Sequence, residues 1–353
     1  MGICEYEKGR SQGELGEIGE SSVIKWDETI DPEKTPGLNT YSSMLQVSAK
    51  PPPEDPGKEF HSFTITLYGV EVSNLVIHGS DKAGIGLYAM RCMSGSTFEN
   101  IIVRNCVHWG ILGLGLYSGV WKKIHALENR NHGMQFGGRP WSSWVSGISH
   151  TTINSVHFES ITSFGNGTDG VKLIESLSDR FLSSPRMIGE GISLYLHQGN
   201  MVTNFTSEYN FGPGIYIGNT SGPNTINGGY LELNCHAPNH PGNPSTGTSM
   251  IDYGFIWKNR PIGIWVETHP YWLDESLPQL PKHLVIQGIF LPSGRWGHWI
   301  RFSGKDLKDR PESWTILRGI FSGDGVYGEN RYEMDHCSRD LVKNADPPPK
   351  KVS

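Results

Sequence analysis

A short phrase returns six times between Val70 and Asn234: glycine, apolar residue, any residue, apolar residue. It reads Gly84-Ile85-Gly86-Leu87, Gly110-Ile111-Leu112-Gly113, Gly133-Met134-Gln135-Phe136, Gly170-Val171-Lys172-Leu173, Gly191-Ile192-Ser193-Leu194 and Gly214-Ile215-Tyr216-Ile217. The leading glycines stand 26, 23, 37, 21 and 23 residues apart. Before most of them lies a second alternating segment that ends in polar residues: Val72–His78, Phe98–Asn105, Trp121–Asn129, Ile153–Phe158 and Met201–Asn210. Short strands recurring with a period in the low twenties are the mark of a solenoid, in which each turn buries its core against the next.

In such a stack each turn contributes about three short strands to three parallel sheets, with rungs ~4.8 Å apart. Side chains alternate in and out. One inward column is therefore expected at Ile85, Ile111, Met134, Val171, Ile192 and Ile215, and a second at Leu87, Phe136, Leu173, Leu194 and Ile217. A glycine before each strand suits a sharp corner, often at positive φ. The 44 glycines in 353 residues exceed ordinary usage and fit a fold with several corners per turn. There is no three-residue period, so collagen is excluded.

The formal net charge of -6 gives no reason to expect nucleic acid or an anionic membrane as a partner. No apolar run approaches the ~18 residues of a membrane span. Met1–Glu20 is acidic and glycine-rich, with no apolar core of a signal peptide. Five scattered cysteines without a Cys-x-x-Cys pair make neither a disulfide framework nor a zinc ribbon, and Cys92 and Cys106 are expected as free thiols in the core of adjacent turns. Sequons at Asn166, Asn204 and Asn219 matter only if the chain is secreted in a glycosylating organism.

Along the chain, residues 1–62 show no clear repeat and are expected to cap the first turn, with Ser22–Trp26 as one strand. The solenoid is expected over 63–334, with loop insertions near 138–151 and 235–250. Strands are expected again at Ile262–Glu267, His283–Phe290, His298–Phe302 and Trp314–Phe321, and residues 335–353 as a frayed tail. No stretch carries a helical period with a capping box.

Phe98-Glu99-Asn100-Ile101-Ile102-Val103-Arg104-Asn105 followed by Gly110-Ile111, and Asn204-Phe205-Thr206-Ser207-Glu208-Tyr209-Asn210 followed by Gly214-Ile215-Tyr216-Ile217, carry a family resemblance. The pattern over about 63–330 resembles the pectate-lyase-like superfamily. That resemblance implies an all-β, right-handed, single-stranded parallel β-helix with coils of about 21–26 residues. It is specific for fold. The superfamily includes lyases, hydrolases, epimerases, esterases and phage tailspikes. It implies an extracellular or virion-associated protein and a polysaccharide or oligosaccharide partner, with side-by-side homotrimers in the tailspike branch.

The expected register puts two rows on one outer face. One row is Gly86, Leu112, Gln135, Lys172, Ser193, Tyr216 and Trp265, and the other is Ala83, Trp109, His132, Asp169, Glu190, Pro213 and Ile262. Reactive side chains fill only the middle of these rows, so His132, Asp169, Glu190 and Lys172, with Tyr195 and Glu175 further along the strands, form the candidate site. Gln135, Ser193 and Tyr216, the flanking Trp109, and the loop residues Arg139, Trp141 and Trp144 are the candidate sugar contacts. Two carboxylates one rung apart approach the separation used by retaining glycosidases, and crowding raises the pKa of one of them. A lyase would instead use Lys172 or His132 as base and Tyr195 or Tyr216 to protonate the leaving oxygen.

Thr168-Asp169-Gly170-Val171 is similar to the Asn-Thr-Asp-Gly motif of polygalacturonase-type hydrolases, but that family's later Asp-Asp, Gly-His-Gly and Arg-Ile-Lys are replaced by Gly189-Glu190, Gly212-Pro213-Gly214 and Tyr216-Ile217-Gly218. The Asp-Pro-His motif of β-helical epimerases and a clustered Asp set for calcium are also missing, so no cofactor is implied, with calcium left as an unsupported alternative. The leading expectation is an enzyme cleaving glycosidic bonds of a polysaccharide, as lyase or hydrolase, over one parallel sheet. A glycan-binding tailspike or adhesin and a β-helix that has lost its activity are the alternatives.

Overall fold

A computed structural model of the chain describes residues 4–9, 21–27, 31, 34, 42–48, 66–137, 153–167, 191–195, 199–218, 222–232, 234, 262–269, 282–291, 299–304, 314–322, 332–335 and 342–343. Every regular element among them is a strand. The first sheet has eleven: β1 (Cys4–Gly9), β2 (Ser21–Trp26), β4 (Glu71–His78), β6 (Thr97–Arg104), β8 (Val120–Leu127), β10 (His157–Phe164), β12 (Met201–Glu208), β14 (Gly222–Glu232), β16 (Lys282–Leu291), β18 (Trp314–Ser322) and β20 (Val342–Lys343). The second has nine: β3 (Ser43–Val47), β5 (Ile85–Met90), β7 (Trp109–Leu114), β9 (His132–Phe136), β11 (Ile192–Tyr195), β13 (Ile215–Gly218), β15 (Ile262–His269), β17 (Trp299–Gly304) and β19 (Tyr332–Asp335). The chain alternates between the two sheets. All pairings are parallel except β1 with β2, which forms an antiparallel hairpin at the start of the first sheet. This is a parallel β-helix. The rungs begin before residue 63, because β2 pairs with β4 and β3 with β5, and they run on to β20.

The described strands form two parallel sheets, not the three expected; outside them, among the described residues, there are only isolated parallel bridges, Leu67 with Cys92 and Tyr117 with Asn154, and the first sheet is creased. One position in each strand of the first sheet from β4 to β16 has positive φ: Asn74, Asn100, Lys123, Ser160, Asn204, Gly228 and Gly288. These residues share one line across the sheet by register. A left-handed residue breaks the two-residue alternation, so Phe98 and Ile101, three apart, both point inward. Aromatic rings fill the space behind the crease. Phe98 stacks on Trp121 at 3.9 Å, Trp121 meets Phe136 edge-on at 5.0 Å, and Phe136 meets Phe158 at 4.5 Å. Each such pair contributes about 0.5–1.5 kcal/mol beyond its burial.

A ladder of buried asparagines lines the corner between the two sheets. Asn129 Oδ1 accepts the Cys106 N–H at 3.0 Å, 23 residues back. Asn166 Oδ1 accepts the N–H and Nδ2 of Asn129, 37 residues away. Asn210 Oδ1 does the same for Asn166 across 44 residues, and Asn234 for Asn210 across 24. A shorter ladder at another corner joins Val156, Asn200 and Asn224. These bonds satisfy the backbone donors that a sharp corner would leave buried and unpaired.

The core columns follow the expected pattern with two corrections. Leu87, not Ile85, stands beside Ile111, followed by Met134, Ile192, Ile215 and Ile264. The corner glycine of that coil is therefore Gly86, and Tyr88 takes the outward place expected for Gly86. Secondly, β9 pairs directly with β11, and Met134 N–H donates to the Gly191 carbonyl at 2.9 Å. Gly170-Val171-Lys172-Leu173, expected as a rung between them, lies outside the described residues. The glycines precede the strands for want of space rather than for positive φ. A Cβ on Gly191 would lie 2.5 Å from Ser207 Oγ and 2.6 Å from Asn210 Nδ2.

Cys92 and Cys106 are free and buried as expected. Burial pushes the Cys92 thiol up to about 12 and Cys106 further. Neither thiol supplies a thiolate near neutral pH.

Candidate functional site

Trp109 and His132 of one expected row, and Leu112, Gln135, Ser193 and Tyr216 of the other, lie on the second sheet. Trp109 and His132 occupy neighbouring rungs and stack at 5.3 Å with their planes 17° apart. Trp109 Nε1 donates to Gln135 Oε1 at 3.0 Å, and Gln135 Nε2 donates to the Gly137 carbonyl. Gln135, Ser193 and Tyr216 follow one another along the row. Tyr195 ends β11 opposite Gly218. Asp169, Lys172, Glu175, Glu190, Arg139, Trp141 and Trp144 lie outside the described residues. β9 and β11 are adjacent in the sheet.

This outer face is buried. Trp109 is 7% exposed, His132 3%, Ser193 4% and Tyr216 1%. Ile85, Tyr88, Met90, Trp109, Leu112 and Leu114 form a second apolar cluster there, separate from the main core. The row is thus largely packing at its N-terminal end.

Next to it lies His108. Burial first, then the charges of His132 and Arg130, hold its imidazole down at about 4. The folded protein therefore resists a proton that the unfolded chain accepts at about 6.5. The contribution of neutral His108 is complete above pH 6.5 and is lost as pH falls towards 4. The shift corresponds to at most about 3 kcal/mol. Burial lowers His78 and His125 in the same direction. Urea titrations between pH 7 and 4 are expected to show falling stability over that window, and His108→Gln is expected to flatten the slope. An unchanged slope would remove His108 as the cause.

A different strip lies on the outside of the first sheet, along its edge beside the long asparagine ladder. The residue two places before each ladder position forms a column: Arg104, Leu127, Phe164, Glu208 and Glu232. Because the ladder fixes Asn210 and Asn234, it also fixes the backbone that carries Glu208 and Glu232. These two stand on adjacent rungs, and Thr206 stands opposite Tyr230. The Tyr230 hydroxyl donates to Glu232 Oε2 at 2.5 Å. Burial, and then the charge of Glu232, push the Glu208 carboxyl above its ordinary range. The Tyr209 and Tyr230 phenols are raised too, first by burial and then by these carboxylates. Phe164 is 39% exposed, and its ring meets that of Tyr209 at 5.3 Å. Arg104, further along, is bound to Glu128 at 2.6 Å.

The strip thus combines an acid inclined to hold its proton, a carboxyl that takes a phenol hydrogen bond, and an aromatic pair of which Phe164 is exposed and Tyr209 half-buried. Sequence reading missed this set. Its signal was Glu208-Tyr209-Asn210 and Glu232-Leu233-Asn234, a Glu-x-Asn repeated one coil apart. Among the described residues no group of three or more His, Cys, Asp or Glu could hold a metal ion, and no helix is long and apolar enough to cross a membrane.

No family model and no curated protein matches the sequence. Solved structures do. An alginate lyase from Paenibacillus sp. str. FPU-7 superposes with a TM-score of 0.52 at 10% identity, covering 93% of this chain and 82% of that one. Pectate lyase Pel9A matches with a TM-score of 0.37 at 10% identity over 87% of this chain and 68% of its own. ORF18 of Geobacillus virus E2 matches with a TM-score of 0.37 at 10% identity over 91% and 47%. At such identity the likeness concerns architecture alone: the chain shares the parallel β-helix fold of the alginate lyase.

Proposed function

We propose that this chain is a carbohydrate-active β-helix protein that lays a polysaccharide along the outside of the solenoid and cleaves its glycosidic bonds. The observation that carries the reading is the Glu208–Glu232 pair beside Phe164 and Tyr209. Rungs ~4.8 Å apart put the two carboxyl groups nearer the ~5–5.5 Å of retaining glycosidases than the ~6.5–9.5 Å of inverting ones. In this role Glu208 protonates the departing glycosidic oxygen. Glu232, oriented by Tyr230, attacks the anomeric carbon, and water then releases the sugar while Glu208 takes the proton back. Phe164 and Tyr209 offer ring faces to a pyranose.

Glu208→Gln and Glu232→Gln are each expected to lower release of reducing ends at least a hundredfold. Their melting temperatures are expected to stay close to that of the unaltered protein. Full activity in both variants would remove the strip as the catalytic centre. An unsaturated product absorbing in the ultraviolet would point to β-elimination in place of hydrolysis.

A second reading keeps the sequence-derived acids. Its motivation is that Gly133 and Gly191 stand on adjacent rungs, and Glu190 directly precedes Gly191 in the chain. In that reading Asp169 and Glu190, assisted by Lys172 and His132, carry the chemistry. Asp169→Asn and Glu190→Gln, assayed beside the other two variants, separate the readings. Retention of a labelled oligosaccharide without cleavage by the unaltered chain would favour a glycan-binding role.

A further inference from the structure

The three sequons, Asn166-Gly167-Thr168, Asn204-Phe205-Thr206 and Asn219-Thr220-Ser221, look alike in sequence. The fold treats two of them in opposite ways, and the third lies outside the described residues.

Asn166 is a rung of the long ladder and is 0% exposed. Its Nδ2 lies 2.9 Å from Asn210 Oδ1, 2.8 Å from Ser163 Oγ and 3.0 Å from the Ala126 carbonyl. Its Oδ1 accepts from the N–H and Nδ2 of Asn129. An N-linked sugar replaces one hydrogen of that same Nδ2 with a bulky carbon. The nitrogen then has one donor left among three acceptors, and the oligosaccharide has no path out of the corner. A chain modified before folding cannot seat this residue, and the corner rungs at Asn129 and Asn210 lose their common partner.

Asn204 is exposed and sits on the crease of the first sheet at φ 53. Its neighbours along the crease are Ser160 and Gly228, and the glycine has no side chain to obstruct a sugar. The preceding and following backbone is held by the rungs on both sides, so an attached glycan leaves the pairing intact.

We infer that Asn204 is an N-glycosylation site this fold accepts, whereas glycosylation at Asn166 blocks folding, so that the chain matures where Asn166 stays unmodified. The inference is independent of the proposed activity. It is tested by secreting the full chain from a glycosylating eukaryotic cell and mapping site occupancy on the folded, monodisperse fraction.

The expected result is a glycan at Asn204 and none at Asn166. Thr168→Ala, which removes that sequon and keeps the ladder asparagine, is expected to raise the folded yield several-fold, and Thr206→Ala is not. As a control, Thr168→Ala and the unaltered chain made in a bacterial cytoplasm are expected to melt at the same temperature. A glycan at Asn166 in protein with an unchanged melt would overturn the inference. So would equal secreted yields of the unaltered chain and Thr168→Ala, or an empty Asn204 in the folded Thr168→Ala protein.

Discussion

Gly110→Ala is expected to keep the chain from reaching its native state. A Cβ at this position would lie 2.7 Å from the Gly133 carbonyl oxygen, 2.5 Å from Asn129 Nδ2 and 3.0 Å from Asn129 Cγ. Neither obstacle can yield. The carbonyl belongs to the next rung, and Asn129 is held on both sides by ladder hydrogen bonds. One added methyl in a tight core ordinarily costs about 1–3 kcal/mol through rotamer shifts. Here backbone must move, and the displaced Asn129 exposes further unpaired donors, so a loss above about 4 kcal/mol is expected. That is a large part of the stability of an ordinary domain. Expression of soluble protein, and a denaturant midpoint if any is recovered, measure it. A midpoint within experimental error of the unaltered protein would show that the rungs can spread.

Asn210→Ala is expected to cost on the order of 4 kcal/mol, by a different route. The substitution leaves space but removes six contacts. Asn210 Oδ1 serves Asn166 N, Asn166 Nδ2 and Ser163 Oγ, and Asn210 Nδ2 reaches Asn234 Oδ1, Ser207 Oγ and the Ser163 carbonyl. Each made hydrogen bond is worth only about 1 kcal/mol, but each buried group left without a partner costs about 1–3 kcal/mol. A water molecule in the vacated space would recover part of this. The same variant disturbs the backbone under Glu208 and Tyr209, so activity is expected to fall with stability. Ser160→Ala, on the solvent side of the crease, is the natural control and is expected within about 0.5 kcal/mol of the unaltered chain. Equal effects of the two would mean that the ladder adds nothing beyond ordinary surface polarity.

Much of the architecture was legible in the residues. Met134, Ile192 and Ile215 stand in one column and Phe136, Leu194 and Ile217 in another, as alternation requires. Trp109 and His132 do share an outer row with Gln135 as neighbour. That β9 pairs directly with β11 is visible only in where the Met134 N–H is bonded, and the repeating phrase does not show it. The ladder asparagines were equally hard to recognise. An asparagine at a strand end has the same local appearance whether it makes a turn or reaches the next coil.

The candidate chemistry moved for the same reason. Glu208 and Glu232 attracted no notice as members of separate strands. They become a pair because β12 and β14 are adjacent and the ladder holds both ends in register. Asp169 and Glu190 attracted notice because they preceded glycines of the repeating phrase.

The sequence by itself determined the solenoid, the inward columns and the buried free cysteines. These follow from the two-residue alternation of a strand, which covalent geometry imposes locally on every short segment. Only the tertiary structure decided which coil lies on which, and so which side chains meet. Adding residues to a loop costs only about 0.6 kcal/mol per doubling of its length. Two rungs far apart in the chain, such as β9 and β11, can therefore still close on one another, with nothing in the local pattern to mark it. Adjacency across rungs is settled by hydrogen bonds between residues 23 to 44 positions apart, and no short phrase contains both partners.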